Sequence, residues 1–179
     1  MPAAAAASPA ADPAAYGRVA RALHWLTAAL IVVMFALGLV ASNWPQDSGA
    51  SFAVKATLFS AHKTLGLIVL GLAGVRILWA VAVPSPRPLA AHAPSVRWLA
   101  GVTHWALYVA LCAVPLTGWL HHAASEGFAP IWWPFGQTLP LVPRNPGVSA
   151  AFGAMHRASV ITLAALALTH VAGALLHHL

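Results

Sequence analysis

Four apolar stretches, residues 23–41, 58–83, 98–120 and 151–176, dominate this 179-residue chain and limit what it can fold into. The hydrocarbon core of a bilayer is about 30 Å thick and takes roughly 20 apolar helical residues to cross. Each stretch is long enough. In lipid a span must close its own backbone hydrogen bonds, so the expected fold is all-α and integral to the membrane: a four-transmembrane-helix, up-and-down bundle. Pro45, the prolines of residues 84–88 and those of residues 130–146 separate the spans, because proline removes a backbone donor and disfavours helix just before it. Hydrophobic residues make up 60% of the chain and charged residues 7%, against about 25% charged in soluble domains, which excludes a soluble globule. The net charge of +6 comes from basic residues scattered singly, with no stripe that nucleic acid would need. The single cysteine, Cys112, excludes an intramolecular disulfide framework, a four-thiolate iron–sulfur cluster and a Cys-x-x-Cys-His attachment.

Residues 1–15 are mostly Ala and Pro and lack the basic and apolar regions of a signal peptide. They read as a disordered leader ahead of one four-helix membrane domain, residues 16–179. Arg18 and Arg21 precede the first span, and Arg76, Arg87 and Arg97 flank the second connection. By the positive-inside rule both termini are expected in the cytoplasm, although Lys55, Lys63, Arg144 and Arg157 on the opposite side narrow the bias. The aromatic run at residues 131–135 suits an interfacial anchor in contact with lipid.

Ten histidines stand out in a chain otherwise poor in polar side chains. Ionisable residues inside a span are costly and mark functional sites. His24 and His104 fall near one end of their spans, His62 and His156 near the other, and His170 lies fourteen residues beyond His156. Fourteen residues advance a helix by about 21 Å and return to nearly the same face. Antiparallel packing then levels His62 with His156 and His24 with His170. Two bis-histidine sites stacked across the membrane follow, and imidazole is an axial ligand of haem iron held in bundle cores. Arg76, fourteen residues after His62, reaches the depth of the other pair, where it suits a cofactor carboxylate or the lipid headgroups. Lys63 and Arg157 adjoin the opposite pair and fit a cofactor carboxylate, a cationic mouth for a small anionic donor, or headgroup anchoring. Gly66, Gly71, Gly74 and Gly173, with the alanines of the fourth span, leave room for a flat cofactor and equally suit close helix packing. The same imidazoles suit transition-metal passage, but Asp12, Asp47 and Glu126 all lie outside the spans, which weighs against a metal transporter.

Arg21-Ala-Leu-His24-Trp25-Leu26, His62-Lys-Thr-Leu-Gly66 with Arg76-Ile-Leu-Trp79, His104-Trp-Ala-Leu-Tyr108 with Pro115-Leu-Thr-Gly118, and His156 with His170 together resemble the bacterial cytochrome b561 family over residues 16–178. The resemblance implies an inner-membrane oxidoreductase with two non-covalent b-type haems. His24 and His170 would ligate the cytoplasmic haem, and His62 and His156 the periplasmic one. It further implies electron exchange with ubiquinone, with superoxide a donor for some members, while other relatives serve as cytochrome subunits of hydrogenases or larger dehydrogenases. His104 matches a family histidine and, with four imidazoles already assigned, is expected to hydrogen-bond a propionate or quinone. His177 is a candidate for the quinone headgroup. The long basic C-terminal tail of some relatives is missing, and the leader has no counterpart, which puts docking to a cytoplasmic partner in doubt.

With both axial positions of each iron filled, outer-sphere electron transfer is the expected chemistry. Electrons would pass from a small anionic or protein donor near Lys63 and Arg157 to quinone at the other end. The alternatives are service as a subunit of a larger complex and, from a different class, a non-redox histidine-lined metal transporter.

Overall fold

The computed structural model describes residues 17–83 and 94–178, with side chains through Leu176. The leader at residues 1–15, Arg87, His92 and the side chain of His177 lie outside the described residues. Four helices make up the fold: α1 (Arg18–Asn43), α2 (Gly49–Ala82), α3 (Pro94–Ala124) and α4 (Pro146–His178). All four are long and apolar enough to cross a membrane, and the protein is a four-span membrane bundle.

α2 and α4 outrun their apolar stretches because their N-termini are capped by polar residues that hydropathy does not register. At α2 the Ser48 hydroxyl accepts from the Ser51 backbone N–H, and the Ser51 hydroxyl accepts from the Ser48 N–H. This reciprocal capping starts the helix at Gly49, well before residue 58. The 34 residues of α2 measure about 51 Å at 1.5 Å per residue, so its first turns project past the apolar core. Pro146 opens α4, where its missing N–H costs nothing. The Asn145 side-chain oxygen accepts from Gly147 and Val148 at 2.8 and 3.1 Å. Lys55 is buried, and its ammonium donates to the Trp44 carbonyl at 3.0 Å. It thereby satisfies an orphan carbonyl just past the end of α1.

α1 packs on α2, α2 on α3 and α3 on α4, but among the described residues no Cα of α1 or α2 comes within 8 Å of one in α4. The fourth side of the bundle is therefore open at the level of the backbone. Val69, Ala73, Ala110, Leu111 and Leu163 form the buried core, with Ile31, Met34 and Phe35 packed against it. Ile31, Val69, Leu111 and Leu163 each follow the first histidine of their span by seven residues, which is two turns. The apolar plug thus lies at mid-depth, with a histidine layer on either side. One layer faces the end where α1 begins and α4 finishes, here the terminal end. The other faces the loop end, formed by the α1–α2 turn and residues 125–145.

Candidate functional site

At the loop end His62 of α2 faces His156 of α4, their ring centroids 6.5 Å apart and nearly perpendicular at 85°. At the terminal end His24 of α1 faces His170 of α4 at 6.3 Å and 63°. In both pairs one partner comes from α4 and the other from a helix whose backbone keeps away from α4, so the imidazoles bridge the open side of the bundle. Metal–imidazole bonds of about 2 Å place two rings that share one ion roughly 6 Å apart, centroid to centroid. Both pairs meet that spacing.

Two glycines make room for these rings. A Cβ on Gly38 would lie 3.0 Å from Cε1 of His62, and one on Gly118 would lie 3.1 Å from both Cε1 and Nδ1 of His156. These are the glycines that cradle the histidines, and sequence reading did not single out Gly38. The glycines it nominated do not touch these rings: a Cβ on Gly66 would meet only Met34 at 3.6 Å, and Cβ atoms on Gly71, Gly74 and Gly173 would have nothing within 4 Å. His156 donates from Nδ1 to the Val114 carbonyl at 2.9 Å, which leaves Nε2 as the lone-pair nitrogen. The Nδ1 of His62 is buried without a hydrogen bond.

The donor set distinguishes the kinds of metal group these residues can hold. Among the described residues no group of three or more His, Cys, Asp or Glu side chains converges on one point. A closed zinc-type site takes four protein ligands, whereas a porphyrin supplies four nitrogens of its own and needs two from the protein. Facing pairs of imidazoles, glycine cradles and separated backbones fit haem.

The remaining candidates surround these pairs. His104 stands beside His170 at 5.0 Å between centroids, and its Nδ1 donates to the Ala100 carbonyl at 2.7 Å. Arg76 is half-buried, with its guanidinium 5.5 Å from the ring centroid of Tyr108, one turn along α3 from His104. It thus turns toward α3 at the depth of His24. Lys63 turns into the connection between α3 and α4. Its ammonium donates to the Ala129 carbonyl at 2.7 Å and to Nδ1 of His122 at 3.3 Å. His122 in turn donates from Nε2 to the Gln137 side-chain oxygen at 3.0 Å, and Gln137 pairs with both backbone groups of Ile131. His122 carries no role in the sequence reading, yet it is buried and central to this network. The arginines at this end are Arg157, exposed on α4, and Arg144, which lines a cavity of about 350 Å³ with His122, Gln137 and Glu126.

The family model for prokaryotic cytochrome b561 matches residues 15–179. Cytochrome b561 homolog 2 of Escherichia coli is 32% identical over 167 residues, which cover 93% of this chain and 86% of that protein. Four apolar spans, histidine pairs that bridge the bundle and a match over nearly the whole chain converge on one conclusion: this chain belongs to the prokaryotic cytochrome b561 family, whose members bind haem b and carry electrons across the membrane.

Proposed function

We propose that the protein moves electrons across the bacterial inner membrane, from a periplasmic donor to ubiquinone, with two b-type haems held by His62–His156 and His24–His170. The observation that carries this reading is the pair of facing imidazoles repeated at two depths, each spanning the side where α4 stands off from α1 and α2. Haem b, when bound, supplies reversible one-electron transfer at its iron. The protein's part is to hold, orient and insulate. Each histidine pair would hold a haem through its iron and so leave substrate no position on the metal. The mid-depth plug of Ile31, Val69, Leu111 and Leu163 keeps water out between the two layers.

In this reading the terminal end faces the cytoplasm, as the arginines around α1 and the α2–α3 connection direct. There Arg76 supplies a guanidinium for a propionate. His104, its Nδ1–H held by the Ala100 carbonyl, presents Nε2 for proton exchange with bound quinone, and His177 is the candidate for the quinone headgroup that the family resemblance implies. At the loop end Arg157 and Arg144 offer positive charge to a small anionic donor, superoxide among them, or to an acidic protein surface. Lys63, next to His62 in α2, ties the α3–α4 connection to that helix through the Ala129 carbonyl.

The test is a reduced-minus-oxidised optical spectrum with the haem-to-protein ratio, on the wild type, His156→Ala and His170→Ala. Two b haems per wild-type chain, falling to about one in each variant, is the expected result. A colourless wild type made with ample haem refutes the reading and leaves the imidazoles as a metal path.

A further inference from the structure

Arg76 places a permanent charge on a packing face. It follows the buried core residues Val69 and Ala73 by two turns and one turn, so it continues the stripe by which α2 packs into the bundle. Arginine stays protonated, and inside a span its charge needs a partner or a route to water. No carboxylate supplies one: Asp47 and Glu126, the acidic side chains among the described residues, both belong to the loop end. The headgroups of the terminal end are the other route. Helical side chains lean toward the N-terminus of their helix, which for α2 is the loop end, so the stem of Arg76 sets off away from those headgroups.

An aromatic face meets it instead. The Arg76 guanidinium lies over the ring of Tyr108, 5.5 Å from its centroid. Tyr108 is on α3, which runs the opposite way and leans its side chains toward the terminal end, so the two side chains converge. The tyrosine ring is itself held, packed against the buried core and edge-on to Trp105 at 5.7 Å between centroids and 67°. A cation over an aromatic ring is attracted by the quadrupole of the face, and the contact uses none of the guanidinium's N–H donors, which stay available for a carboxylate. Tyr108 stands one turn from His104, whose ring neighbours His170. The charge of Arg76 acts on both rings of the terminal-end pair, His24 and His170.

We infer that Tyr108 is a positioning residue for Arg76: its ring face keeps the guanidinium beside the terminal-end histidine pair and out of the headgroups, and the charge held there raises the midpoint of the terminal-end haem. This rests on the two-haem reading above. Reduction takes one positive charge from an iron, so a fixed cation nearby favours the reduced form. A unit charge about 12 Å away, in an effective dielectric of about 20, changes that one-electron equilibrium about tenfold. A terminal-end haem that is easier to reduce draws electrons from the loop end.

The experiment is an optical redox titration of the purified holoprotein with the two haems resolved, on the wild type, Arg76→Gln, Tyr108→Leu, Tyr108→Phe and the double variant Tyr108→Leu/Arg76→Gln. For the terminal-end haem, Arg76→Gln is expected to shift the population about tenfold toward oxidation at fixed potential, equivalent to about 59 mV for one electron. Tyr108→Leu reproduces at least about half of that midpoint shift, because the freed guanidinium moves out to the headgroups. Tyr108→Phe keeps the ring face and shifts the population less than about twofold. The double variant matches Arg76→Gln alone, since the ring acts only through the charge it holds. The loop-end haem lies about four turns away and moves less in every variant. A wild-type midpoint in Tyr108→Leu or in Arg76→Gln, a Tyr108→Phe shift as large as that of Tyr108→Leu, or additive shifts in the double variant each overturn the inference. Should Tyr108→Leu release the terminal-end haem, Tyr108→Met, which fills the space without a ring, takes its place. A wild type without two haems instead refutes the functional reading itself, which the haem-to-protein ratio reports before any titration.

Discussion

A histidine inside a span is visible in sequence because little else there is polar, and fourteen residues between His156 and His170 place both on one face of one helix. The glycine opposite each loop-end ring is not visible in the same way. Gly38 sits in a helix where glycine reads equally as close packing, and only the ring at 3.0 Å from its missing Cβ shows what it is for. A larger side chain cannot be placed there while His62 keeps its position. Gly38→Leu is expected to lower the haem content from two to about one per chain, with the terminal-end haem retained. The optical haem-to-protein ratio checks it, and an unchanged ratio would show that the His62 ring can yield without leaving its site.

At the scale of elements, hydropathy located the spans but not their ends. Caps start α2 at Gly49 and α4 at Pro146, and neither the Ser48–Ser51 box nor Asn145 contributes to an apolar count. The connection between α3 and α4 was legible only as an aromatic, proline-rich segment. In the structure it is fastened to α2 through Lys63, His122 and Gln137, and through the Trp132 N–H donating to the Thr64 hydroxyl at 2.9 Å. His122 is 5% exposed, and removing it takes one hydrogen bond each from the half-buried Lys63 and Gln137, which keep their backbone partners, a loss of about 1–3 kcal/mol. His122→Ala is expected to loosen this connection while leaving two haems in place. Faster trypsin cleavage after Arg144 and faster amide exchange across residues 129–137 are the measurements. Wild-type rates in both would mean that the Trp132–Thr64 bond and the Asn145 N–H donating to the Ala124 carbonyl at 3.1 Å hold the segment without His122.

At the scale of the whole molecule, membrane orientation rests on a small excess of positive charge at one end, and a labelling experiment checks it. In a Cys112→Ser background, Ser125→Cys is expected to react with a membrane-impermeant maleimide from the periplasmic side of intact spheroplasts. Gly17→Cys is expected to react only after lysis. The reverse pattern would invert the direction of electron flow proposed here. The sequence by itself determined that there are four spans, because lipid cannot satisfy an open backbone, and that four histidines form two depth-matched layers, because helical rise converts spacing into depth. Only the tertiary structure decided that α4 stands off from α1 and α2, that Gly38 and Gly118 seat the rings, and that Lys63 turns into the connection and not toward solvent. Depth follows from position along one helix. Lateral spacing and side-chain direction depend on which helices pack together, and chains this apolar offer many pairings of similar hydropathy from which packing and a few polar contacts select one.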